Sequence, residues 1–191
     1  MKHALKLIGS LTAICLISGA LLAFVYGATA ERIEAVAQMR IAAAAAQVLP
    51  PHDRIEDEIE IQHENSVFLF RPAYRDDDSL VGYAIQFATR EGYGGEIRMM
   101  LGLDTSGMTT GLAILPGHTE TPGLGAKITE PAFLQSFRNK SLHATNWRVA
   151  KDGGEIDEIT AATISSRAVA NAVKQVSTVY KEHQATLRGG Q

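Results

Sequence analysis

The chain has 191 residues, enough for one domain of ordinary size with a short appendage. Hydrophobic residues at 46% and charged residues at 20% exclude a disordered tail and a multi-span membrane protein. A formal charge of −3 excludes a basic nucleic-acid surface, and a single cysteine, Cys15, excludes an intramolecular disulfide or a Cys-ligated metal centre within the chain.

The run from Leu7 to Ala30 contains no charged residue, and Lys2 and Lys6 precede it. About 20 such residues cross the hydrocarbon core of a bilayer as a helix. The length predicts a retained transmembrane anchor in contact with membrane lipid. Ala28-Thr29-Ala30 fits the A-x-A pattern of a cleaved signal peptide, which is the rival reading. Arg32 and Arg40 behind the span balance the two lysines in front, so the short amino-terminal tail decides orientation: it stays inside and the rest is exported. Residues 1–30 are thus read as cytoplasmic tail and anchor. The alanine-rich residues 31–50 extend the helix as a stalk until Pro50-Pro51 stops it.

Residues 51–191 form one exported domain. Ile55–Ile61 and Val67–Phe70 read as short strands, the second ending before Pro72, with a polar turn at Arg75–Ser79. Leu80–Thr89, Glu96–Leu103 and Gly111–Leu115 have strand composition and are separated by glycine turns at 92–95 and 105–107. Residues 130–138 read as a short helix. A long helix begins near Thr163, with Val169, Ala172, Val173, Val176, Val179 and Tyr180 forming one apolar stripe. A helix laid on a curved antiparallel sheet is an α+β domain.

Two segments carry candidate chemistry. Pro116–Gly125 is a tight loop with His118, Glu120, Thr119 and Thr121; a metal site there needs further ligands from His52, His63 or His143, and nothing demands one. In Asp157–Arg167 the hydroxyls of Thr160, Thr163, Ser165 and Ser166 crowd the start of the last helix. Helix capping needs only one of them. The free amides and dipole of a helix N-terminus also attract phosphate, and small Ala161 and Ala162 let a bulky group approach. No G-x-S-x-G elbow, Walker motif or Rossmann fingerprint is present.

The stretch Gly92–Lys127, GYGGEIRMMLGLDTSGMTTGLAILPGHTETPGLGAK, together with DEITAATISSRAVANAV at 157–173, closely resembles the G subunit of the Rnf complex. Members of that family are membrane-anchored flavoproteins whose FMN is esterified through its phosphate to a threonine. Their flavinylation motif, D-x-x-(S/T)-G-A-T, is matched by Asp157, Thr160, Ala162 and Thr163, with Ala161 in place of glycine. The resemblance implies covalent FMN on Thr163, with Thr160, Ala162, Ser165 and Ser166 around the attachment point. It implies that Asp157 is read by an ApbE-type flavin transferase. The loop residues Glu120, Thr121, Leu124 and Gly125 are implied to lie against the flavin, where the Glu120 charge disfavours anionic forms of the ring.

The implied function is an electron relay among the other Rnf subunits, in a complex coupling ferredoxin:NAD electron transfer to ion translocation, with no catalytic site of its own and no nucleic-acid partner. The implied location is the inner membrane, flavin domain on the periplasmic side. The alternatives are the C subunit of a sodium-pumping NADH:quinone reductase, a regulatory flavin-bearing domain, and an anchored domain with no cofactor.

Overall fold

The computed structural model describes residues 2–188. The chain divides into two compact units between Arg40 and Ile41. In the first, helix α1 (Lys2–Val48) is apolar and long enough to cross a membrane, and from Leu5 to Val36 it carries exposed leucine, isoleucine, valine and phenylalanine side chains. Such a surface is stable only where something other than water covers it.

The second unit begins with the last turns of α1. Its strands are β1 (Arg54–Ile55), β2 (Ile59–His63), β3 (Ser66–Tyr74), β4 (Leu80–Gly92), β5 (Gly95–Asp104) and β6 (Thr109–Ile114). All pairings are antiparallel, in the order β1-β3-β4-β5-β6, with β2 pairing the same edge of β3 that β1 uses. Helix α2 (Pro131–Gln135) and the long α3 (Thr163–Arg188) follow. The architecture is the expected α+β.

Period-two alternation sends Tyr83, Ile85 and Phe87 of β4 and Met99, Leu101 and Leu103 of β5 to one face, where the α3 stripe from Val169 to Tyr180 seals them. The opposite face carries Ala73, Ala84 and Met100, covered by Ala45, Val48 and Leu49 from the end of α1. Burial on both faces is why β5 reads as an almost unbroken apolar run. Thr110 Oγ1 donates to the Val48 carbonyl, satisfying one of the orphan acceptors at the end of α1. At the far end of α3, Tyr83 Oη donates to the Leu187 carbonyl at 2.8 Å.

Two expectations are corrected. Strand β3 runs through Pro72 to Tyr74, and the single strand expected over Ile55–Ile61 is split in two. The causes are linked. The Pro72 carbonyl accepts from Glu56 N–H at 2.9 Å, so its missing N–H faces the same edge, where residues 56–58 leave the ladder between β1 and β2. The helix expected over 130–138 is regular only over Pro131–Gln135. It then tightens into three-residue turns that bring Phe137 edge-on to Phe133 and flat against Trp147.

Candidate functional site

Three segments converge at one end of the sheet. The first is the β4–β5 hairpin, closed by the Gly92–Gly95 pair with Tyr93 and Gly94 at its tip. Gly94 packs so closely on the 116–125 loop that a Cβ there would sit 2.2 Å from the Thr119 carbonyl oxygen. Thr119 Oγ1 donates to the Gly94 carbonyl, and Gly94 N–H donates to Glu120 Oε1 at 3.0 Å. The second segment is the loop itself, where Leu124 N–H and Ala126 N–H both donate to the Thr121 carbonyl at 3.1 Å.

The third is the entry to α3. Ile159–Ala162 is a β-turn closed by Ala162 N–H donating to the Ile159 carbonyl at 2.9 Å. Its third residue, Ala161, has φ +64°, a conformation that favours glycine. Ser166 holds the turn from inside: its Oγ accepts from Ile159 N–H at 3.0 Å and donates to the Ala162 carbonyl at 3.1 Å. Ala162 therefore occupies the N-cap position with no capping side chain. Among the described residues, nothing accepts from the amides of Thr163, Ile164 and Ser165, the free donors of the first turn.

Between these segments lies a cavity of about 510 Å³. Thr163, Ala162 and Ala161 form one wall and Thr121 and Gly125 another, with Tyr93, Leu124 and Ile164 also lining it. These last three side chains are 71%, 43% and 52% exposed, an apolar rim contributed by three separate elements. No lining residue is charged.

Residues 92–178 match the FMN-binding domain family. The chain is 32% identical to the G subunit of the ion-translocating oxidoreductase complex of Aliivibrio fischeri strain MJ11, over 88% of this chain and 86% of that protein. It is also 32% identical to the protein of the same name from Haemophilus influenzae strain PittEE, over 95% and 91%. The chain belongs to this G-subunit family of ion-translocating oxidoreductase complexes. The crystal structure of Shewanella oneidensis NqrC shares the fold, with a TM-score of 0.54 at 20% identity over 65% of this chain and 62% of that one.

An FMN-binding domain implies FMN, and the residues fit one. The cavity falls within the roughly 300–1,000 Å³ usual for small-ligand sites. It has a hydroxyl beside free helix amides for a phosphate, and an apolar rim for a planar ring.

The expected residues of this family member fall into three groups. Thr163, Ala162, Thr121, Leu124 and Gly125 line the cavity together. Ser165 and Ser166 are fully buried behind it, and Glu120, 5% exposed, turns inward to accept from Ser165 Oγ at 2.6 Å. Asp157 and Thr160 line a separate groove of about 530 Å³ with Lys127, Glu130, Phe133 and Glu158. His118 lines neither, and among the described residues no group of three or more His, Cys, Asp or Glu side chains is placed to hold a metal ion.

Sequence reasoning missed Tyr93 and Ile164, whereas Ala161 lines the cavity as its small size suggested. Signals for the first two were present: an aromatic at the tip of a glycine hairpin, and an isoleucine off the buried stripe of an amphipathic helix. Outside the cavity, Arg167 donates to both Asp152 carboxylate oxygens at 2.6 Å. That hydrogen bonding holds the Asp152 carboxyl below its ordinary range and raises the Arg167 guanidinium.

Proposed function

We propose that this chain is an electron-relay flavoprotein subunit of a membrane-bound Rnf complex, with FMN joined through its phosphate to Thr163. The observation that carries this is the position of Thr163, whose residue lines the cavity at the uncapped start of α3. A phosphate esterified there lies against the free amides and the positive end of the helix dipole. When bound, the flavin supplies the capacity to accept and release electrons. The chain's own residues do the rest: Thr163 fixes the phosphate end, while Tyr93, Leu124 and Ile164 offer apolar surface to the ring and restrict water at the rim.

On this reading the complex couples ferredoxin:NAD electron transfer to ion translocation. The apolar part of α1 anchors the subunit in the inner membrane, with the flavin domain on the periplasmic side. Asp157 and Thr160 serve an ApbE-type transferase and do not touch the flavin, since they line the neighbouring groove. Intact-mass analysis tests the attachment: Thr163→Val should remove the whole flavin adduct, and Thr178→Ala, on the exposed face of the same helix, should keep it. An adduct that survives in Thr163→Val would end the proposal.

A further inference from the structure

We infer that Glu120 is a positioning residue that ties the three walls of the cavity into one unit and acts through geometry, not through its charge on the ring. Its carboxylate has one oxygen on each of two walls: Oε1 accepts from Gly94 N–H in the hairpin tip that carries Tyr93, and Oε2 accepts from Ser165 Oγ in the first turn that carries Thr163 and Ile164. The third wall closes over it, because a Cβ on Gly125 would lie 2.0 Å from Glu120 Oε2 and 2.8 Å from Ser165 Oγ. Glu120 lines neither that cavity nor the groove beside it. A carboxylate at 5% exposure is costly to bury, and two directed donors with the positive end of α3 nearby compensate it.

The inference rests on the flavin reading only for what the clamp is for, so its test is made with and without flavin. Hydrogen exchange in the full-length chain carrying Thr163→Val reports the clamp alone. There Glu120→Ala should raise exchange over residues 92–95 and 163–166 by about tenfold. Glu120→Gln, which keeps an acceptor for Gly94 and a polar partner for Ser165, should stay within about twofold of the parent. Ser165→Ala, the milder change, should raise exchange at 92–95, a segment that Ser165 reaches through its hydrogen bond to Glu120.

In the flavin-bearing chain, Glu120→Ala should lower flavin fluorescence anisotropy, while Glu120→Gln restores it and leaves the midpoint potential unmoved. A potential shift in Glu120→Gln would overturn the inference in favour of a charge effect. Unchanged exchange at 92–95 in Ser165→Ala would overturn it too, and decides the matter if Glu120→Ala fails to fold. If no chain carries flavin, the functional proposal falls while the exchange data still judge the clamp.

Discussion

The cavity beside Thr163 and the groove beside Asp157 are nearly equal in volume and draw on one short run of sequence, yet their chemistry is opposite. The first has no charged lining residue and an apolar rim; the second presents Asp157, Glu158, Glu130 and Lys127 around Phe133. The run 157–163 serves both because the chain reverses at the Ile159–Ala162 turn, which leaves Thr160 on one side and Thr163 on the other. A contiguous motif is therefore not a contiguous site. Part of it lines the cavity and part lines the groove.

The largest expected effect separates the two sides outright. Thr163→Val should abolish flavin loading, whereas Asp157→Asn should reduce it while leaving the cavity unchanged. Because Asp157 is exposed, its variant should unfold within about 0.5 kcal/mol of the parent in urea. A variant of Asp157 that loads normally would break the division of labour.

Next comes Gly125→Ala, which forces a methyl into Glu120 and Ser165 behind the cavity wall. Overpacking of this kind costs about 1–3 kcal/mol, measurable as a shifted urea midpoint. A change of similar size on the groove side, Ala132→Ser, should be close to silent, since Ala132 is exposed.

Ala161→Gly should act in the other direction. It relieves a left-handed alanine that costs about 1–2 kcal/mol, but the freer unfolded chain returns roughly 0.4–1 kcal/mol of that. The net gain should be a few tenths to about 1 kcal/mol, read from the same urea curves. A loss would mean that the turn separating the two surfaces holds its shape for a reason other than backbone conformation.

The smallest effect is the acid response of Asp152. Its pair with Arg167 lowers the folded-state pKa below the ordinary value of 3.8, so the stabilisation is fully present above that value. It is lost as the pH falls through the lower folded value. Asp152→Asn should flatten the pH dependence of the unfolding midpoint below about pH 4, and added salt should shrink the difference because the pair is partly solvated.

Strands β4 to β6, their turns and the α3 stripe were legible because burial imposes period two and period three-to-four directly on residue type. That Thr163 and the loop residues Thr121, Leu124 and Gly125 come together at one cavity was legible through motif resemblance. The separation of Thr160 from Thr163 depends on a single positive φ at Ala161; alanine itself gives no sign of one, and the only signal is the glycine that the resembling motif carries at that position. The resemblance implies that Glu120 lies against the flavin and that Ser165 stands around the attachment point. Only the geometry shows them facing each other.

Pro72 has a consequence for the life of the protein in a crowded compartment. A sheet edge with free N–H groups invites the strand of another molecule to add on, which is how aggregation starts. Where β1 has ended and β2 has not begun, β3 shows Pro72, whose carbonyl is already taken by Glu56 and which has no hydrogen to offer. Glu56, Asp57 and Glu58 span that notch, Glu56 paired with Arg54 and Glu58 with Arg71, so charged side chains line it. The outer edge of β3 is divided between two short strands joined by a charged gap at a proline, which interrupts the register along which a foreign strand would extend.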